Sequence, residues 1–141
     1  MQSAAAFSLD ANNGVRLVGN LALTGTGHTA ATGDALTNRL TGNAGNNTLD
    51  GGAGNDTLTG GAGLDTFVFG PGGGNDLVTD FVDTQDLVNV SAFGFIDFGN
   101  MLTDASLISV VGGVLIDFDT GDALTLNGIT LANLSGADFV F

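Results

Sequence analysis

Asparagine and aspartate recur at a fixed interval in the middle of this chain: Asn38, Asn47, Asp56 and Asp65 stand nine residues apart, and Asp76 follows after a two-residue insertion. Carboxylates and amides on one period do not suit covalent catalysis, which needs a nucleophile beside a base. They suit a hard cation. If alternate copies face the same side, Asp56 stacks near Asp76, Asn47 near Asp65, and Asn38 near Asp56. Two carboxylates ~4 Å apart repel by about 4 kcal/mol at an effective dielectric near ~20, so the stack opposes itself when bare. A divalent cation taking about six to eight oxygens at ~2.3–2.6 Å removes that conflict, and calcium fits better than magnesium with its strict, small octahedron. Backbone carbonyls of the turns are expected to complete the shell. The ligand set is therefore Asp56, Asp65, Asp76, Asn47 and Asn38 with the turn residues Gly42, Ala44, Gly51, Gly52, Ala53, Gly54, Gly61, Gly63, Gly72 and Gly74. Two to three Ca²⁺ ions or more are expected, bound most tightly at Asp56/Asp76, where both partners are carboxylates.

Other chemistry finds little to work with. There is no Cys, Lys, Glu, Tyr or Trp, and the lone His28, in Thr-Gly-His-Thr, has no evident partner and reads as a surface or turn residue. Asp117, Asp119 and Asp122 imitate the start of an EF-hand loop, but that loop needs Gly sixth and Glu twelfth, where this chain has Asp122 and Gly128. A solvated hairpin is expected there. With only Arg16 and Arg39 against fifteen aspartates, the net charge is −13. Nucleic acid and anionic membranes both want a positive surface and are excluded as partners, and no apolar run approaches the ~20 residues that span a bilayer.

The elements that position these groups follow from the same period. The copies read GDALTNRLT, GNAGNNTLD, GGAGNDTLT, GGAGLDTFV and PGGGNDLVT, starting at Gly33, Gly42, Gly51, Gly60 and Pro71. Their eighth positions are Leu40, Leu49, Leu58, Phe67 and Val78. Six residues of Gly-rich turn and three of strand place that apolar side chain on one face. Two copies make one coil, and coils stacked at ~4.8 Å form a solenoid with a thin core and two columns of turns. The fold class expected is all-β: a parallel β-roll with a C-terminal capping region of short helix and antiparallel strands. Three segments are expected: 1–32 as irregular N-terminal strands or first coil, 33–80 as the roll, and 81–141 as the cap.

At GGAGNDTLT and GGAGLDTFV the sequence resembles the repeats-in-toxin (RTX, hemolysin-type calcium-binding) family, whose nonapeptide is GGxGxDxUx with U a large apolar residue. The resemblance extends over residues 15 to 141, with Leu36 in place of the fourth Gly and Asn at 38 and 47 as departures. It implies a calcium-binding β-roll that folds on meeting Ca²⁺ outside a Gram-negative cell and supports type I secretion of a secreted or surface protein. The closing Asp138-Phe139-Val140-Phe141 is similar to the uncleaved export signal of such proteins, and residues Met1 to Phe7 carry neither the basic start nor the apolar stretch of an N-terminal signal. With that residue inventory and neither HExxH nor GxSxG, no enzyme is expected in this segment; relatives often carry a catalytic domain N-terminal to such a module. Calcium and the type I secretion machinery are the expected partners. Extracellular polysaccharide binding or self-association at a cell surface is the alternative, against which the absence of Trp and Tyr counts.

On the flanks, Val15, Leu17, Leu21 and Leu23 share one parity and read as a strand or early coil. Asp97 is the expected N-cap of a helix through Ala105 burying Phe98, Met101 and Leu102. Residues 107–118 and 122–127 read as two strands joined at Asp119-Thr120-Gly121-Asp122. Asp80, Asp83 and Asp86 either complete a last calcium shell or keep a turn wet. No outward threonine ladder is expected to persist.

Overall fold

In the computed structural model, described for residues 6–8 and 19–141, the nine-residue period becomes two facing sheets. Strands β1 (Ala6–Ser8), β3 (Thr29–Thr32), β5 (Asn47–Asp50), β7 (Thr66–Val68), β9 (Leu87–Asn89) and β13 (Phe139–Val140) form one sheet in that order. The other runs β10 (Ser106–Val110), β11 (Gly113–Asp117), β12 (Ala123–Asn127), β8 (Asn75–Val78), β6 (Thr57–Thr59), β4 (Asn38–Thr41) and β2 (Gly19–Ala22). Odd and even copies alternate between sheets because each turn reverses the chain. Every pairing is parallel except β10–β11 and β11–β12.

The eighth position of each copy builds the core. In one sheet Leu40 pairs Leu58, which pairs Val78, which pairs Leu126. In the other, Ala31, Leu49, Phe67, Val88 and Phe139 follow one another in register. All nine are buried. A coil this thin offers about one large side chain per strand, so register is fixed tightly: a slip of one residue would turn that column to solvent.

The parallel stack runs past both ends of residues 33–80, taking in β2 and β3 before them and β9, β12 and β13 after them. Val15 and Leu17 lie outside the described residues, whereas Leu23 is buried. The expected strand 107–118 is corrected to two, β10 and β11, because Gly112 turns the chain at φ 84°. The hairpin β11–β12 joins β8 by parallel pairing, so it continues the sheet and does more than cover its end. Helix α1 (Phe98–Asp104) is capped by Asp97, whose side chain accepts from the Asn100 N–H. It buries Met101 fully and Phe98 partly, but Leu102 faces solvent at 43% exposure, against expectation. One turn of contact with the roll is enough for only one side of so short a helix.

On the outer face of the seven-stranded sheet, Thr41 pairs Thr59, and the Thr59 and Thr79 hydroxyls lie 2.7 Å apart. This row of three gives way to Ala22 in β2. Beside it, the exposed Arg39 stands in register with Thr57. Among the described residues no helix is long and apolar enough to cross a membrane.

Candidate metal centre

The sixth position of each copy enters its strand at the mouth of a turn, and there the Asx side chains form two ladders. In one, the Asn38 N–H donates to Asp56 Oδ1 at 2.7 Å and the Asp56 N–H to Asp76 Oδ1 at 2.9 Å. In the other, the Asn47 N–H donates to Asp65 Oδ1 at 2.7 Å and the Asp65 N–H to Asp86 Oδ1 at 3.0 Å. The three expected pairs, Asp56 with Asp76, Asn47 with Asp65 and Asn38 with Asp56, are thus adjacent. Each carboxylate serves the coil before it as an acceptor.

That leaves the second oxygen. Asp56 Oδ2, Asp65 Oδ2 and Asp76 Oδ2 are buried and have no hydrogen-bond partner. A buried acceptor without a donor is destabilising by about 1–3 kcal/mol, and more when charged. Burial pushes the carboxyls of Asp56 and Asp65 up to about 6 and that of Asp76 to about 7, against the pull of the amides that bind their other oxygens. Neighbouring Asp56, Asp50 and Asp122 raise Asp76 further. Burial raises Asp86 as well.

Among the described residues no three acidic or histidine side chains gather at one point, so a cation here must draw on main-chain carbonyls too. The turns bring such oxygens close. A Cβ added at Gly33 would strike both Asn38 Oδ1 and the Gly51 carbonyl, and one at Gly42 would strike Asn47 Oδ1 and the Gly60 carbonyl. At Gly51 and Gly60 it would strike Asp56 Oδ2 and Asp65 Oδ2. In these four copies the first position is glycine because the sixth side chain folds back over it. The orphaned oxygens, the crowded carbonyls and the absence of an ammonium or guanidinium at the ladders among the described residues fit a hard divalent cation such as calcium.

Of the other turn residues expected to contribute, Gly52, Gly54, Gly61, Gly63, Gly72 and Gly74 all have φ between 82° and 126°, a conformation that only glycine adopts without strain. Gly42, Ala44 and Ala53 sit in the same turns without it.

Two residues left open from the sequence between a calcium shell and a wet turn, Asp80 and Asp86, and one read as solvated, Asp122, belong to this array. Asp86 holds the sixth position of a sixth copy, Phe81–Asn89, in which Thr84 takes the fourth position at φ 65°; its signal was the run Asp86-Leu87-Val88. Asp80 accepts from the Gly60 N–H at 2.8 Å and the Gly61 N–H at 2.9 Å, clasping the preceding turn. Asp122 does the same for the Gly72 and Gly74 amides, at 2.9 and 3.0 Å. The expected solvated hairpin is therefore corrected at Asp122, which is buried; burial alone would raise its pKa, but the two amides and the Thr120 hydroxyl outweigh that and lower it. Asp117 and Asp119 remain exposed or half-exposed. His28 also has a partner, since its Nδ1 accepts from the Asn46 N–H at 2.9 Å; it extends a fifth-position ladder in which Asn46 Oδ1 takes the Leu64 N–H.

A family model for the RTX calcium-binding nonapeptide repeat, in four copies, matches residues 32–67. The solution structure of the AlgE6R2 subunit from the Azotobacter vinelandii mannuronan C5-epimerase is similar over 99% of this chain and 92% of that one, at 30% identity and TM-score 0.65. The AlgE6R3 subunit of the same epimerase is similar at 31% identity and TM-score 0.54, covering 100% of this chain and 81% of its own. The extracellular lipase LipA from Serratia marcescens matches at 26% identity and TM-score 0.53, over 85% of this chain and only 20% of the lipase. Comparison with curated protein sequences gives no match. Near-complete mutual coverage of the AlgE6R2 subunit, with the nonapeptide repeat at its centre and a parallel roll around it, places this chain in the RTX calcium-binding nonapeptide-repeat family.

Proposed function

We propose that this chain is a calcium-stabilised β-roll that acts as an accessory module for an extracellular polysaccharide, binding it beside a catalytic domain rather than performing a reaction of its own. The observation that carries the calcium half is the set of three buried carboxylate oxygens without donors. Calcium would be held by Asp56, Asp65 and Asp76 with carbonyls of the adjoining turns, and when bound it supplies the positive charge that two stacked carboxylates lack. The polysaccharide half is supported by similarity to two subunits of a mannuronan epimerase along nearly the whole chain. The half-exposed outer row Thr41, Thr59 and Thr79 offers hydroxyls, the last two paired with each other, and the exposed Arg39 beside it offers a guanidinium suited to a uronate carboxylate.

A second role, calcium-triggered folding after type I export, is favoured by the likeness to an extracellular lipase and by Phe139 and Val140 being hydrogen-bonded into a sheet. An export element there is readable only before the roll forms.

The deciding experiment has two arms. Circular dichroism in excess chelator should show partial loss of β-structure and a lower melting temperature, both restored by millimolar calcium; an unchanged spectrum and melt would sink the calcium reading. Calorimetric titration of the calcium-loaded chain with oligomannuronate and with a neutral glucan should show binding to the first, weakened roughly tenfold by Arg39→Ala, the equivalent of a charge-assisted hydrogen bond. No heat with either sugar at millimolar ligand would dismiss the polysaccharide reading and leave the folding role.

A further inference from the structure

The turns fall into two classes by where the amide of the second position goes. In the copies starting at Gly33 and Gly42 it goes to the ladder side chain of the same turn: the Asp34 N–H donates to Asn38 Oδ1 and the Asn43 N–H to Asn47 Oδ1, both at 2.7 Å. The amide nitrogens answer in kind, Asn38 Nδ2 donating to Asp34 Oδ1 and Asn47 Nδ2 to Asn43 Oδ1, both at 3.1 Å. The copy starting at Phe81 closes in the same way, its Val82 N–H donating to Asp86 Oδ2 at 2.9 Å.

In the copies starting at Gly51, Gly60 and Pro71 the second-position amide leaves the turn. The Gly52 N–H donates to Asp50, the Gly61 N–H to Asp80 and the Gly72 N–H to Asp122. Each of these residues is a glycine at positive φ, 83°, 96° and 82°, whereas Asp34, Asn43 and Val82 are not at positive φ. The three turns opened in this way are those of the three orphaned carboxylate oxygens.

We infer that the second position decides whether a turn needs a cation: a non-glycine there closes the turn on its own ladder side chain, and a left-handed glycine opens it and leaves one carboxylate oxygen for the metal. Asn38 and Asn47 are then internal substitutes for the cation rather than weak ligands, and Asp86, although a carboxylate in the same ladder as Asp65, binds none. Among the described residues cation demand is confined to Asp56, Asp65 and Asp76, bracketed along the chain by self-sufficient turns. Charge alone does not sort the ladder this way, because Asp86 is a carboxylate like Asp65 and is also buried.

This inference rests on the calcium reading above, and the test separates the two. Calcium stoichiometry is measured by calorimetry on the native chain and on two chemically identical substitutions in one ladder, Asp65→Asn and Asp86→Asn. The expected result is three ions for the native chain, one per orphaned oxygen, a loss of one in Asp65→Asn, and no loss in Asp86→Asn. A double substitution, Asn43→Gly with Asn47→Asp, should open a closed turn and add one ion, while making the circular dichroism of the roll more sensitive to chelator. Equal stoichiometry in Asp65→Asn and Asp86→Asn, or no gain in the double variant, overturns the inference while leaving calcium binding intact. A native chain that takes up no calcium overturns both.

Discussion

The backbone N–H of Asp56 donates to Oδ1 of Asp76 in the following coil, at 2.9 Å. One carboxylate oxygen thereby fastens neighbouring coils whether or not a cation is present, and the other, Oδ2, is left buried without a partner. The residue is a structural acceptor and a candidate ligand at once, so its removal and its neutralisation have different consequences.

Asp76→Asn keeps a carbonyl for the Asp56 amide but removes the charge facing Asp56, Asp50 and Asp122. In chelator the variant should melt above the native chain, because a repulsion is gone. In millimolar calcium it should melt below it, by the equivalent of up to about 2.7 kcal/mol for a site held at ~100 times its Kd. Thermal melts in the two buffers check this. The order of the two proteins must reverse between buffers.

Acid should partly replace calcium. Asp56, Asp65 and Asp76 hold protons in the fold up to about 6, 6 and 7, against 3.8 for the free side chain. A folded pKa raised above the unfolded one contributes stability that is complete below pH 3.8 and is lost as pH climbs through 6 to 7. In chelator the melting temperature should therefore fall between pH 5 and pH 8, and saturating calcium should flatten or reverse the slope. A chelator melt that rises over that interval contradicts the burial of these carboxyls.

Gly60→Ala tests the crowding at the first position. The new Cβ meets Asp65 Oδ2 and, at 3.0 Å, the Phe67 ring. Destabilisation of about 1–3 kcal/mol is expected, together with weaker calcium binding, read from denaturant melts and calorimetry.

Phe67→Ala separates core from turns. Phe67 is fully buried, with its ring 6.4 Å from that of Phe81. Truncation should remove about 3–5 kcal/mol, and unlike Asp76→Asn the loss should have the same sign with and without calcium. Urea melts in both buffers measure it.

The sequence made the middle of the roll legible because Gly51-Gly52 to Asp56-Thr57-Leu58 repeats every physical requirement of the turn: space at the first residue, positive φ at the second and fourth, an oxygen at the sixth and an apolar side chain at the eighth. The pairing of Asp56 with Asp76 followed from that period once the two-residue insertion before Pro71 was allowed for. Asp86 stayed open between a calcium shell and a wet turn because Phe81-Val82-Asp83-Thr84 contains none of the glycines, and a turn closed by Val82 needs only Thr84 at positive φ. The break between β10 and β11 escaped because Val110 and Val111 continue a β-branched run, and Gly112 by itself reads as well as a strand glycine as a turn. Leu102 misled because hydrophobicity states a preference for burial without saying whether a seven-residue helix has a second neighbour to offer. Which ladder side chains have both oxygens engaged depends on whether the second-position amide of the same turn closes on them, a hydrogen bond that only the fold displays.

Within the roll, ladder partners lie 18 to 21 residues apart, whereas Asp122 reaches Gly74 across 48. The entropy of closing the larger loop exceeds that of the smaller by only about 0.9 kcal/mol, yet the hairpin β11–β12 must be assembled before it can dock on β8. Coil-by-coil winding is thus a chain of short-range steps that ends in two long-range dockings, of β12 on β8 and of β13 on β9, and these larger closures are expected to slow the completion of the fold more than the winding of its repeats.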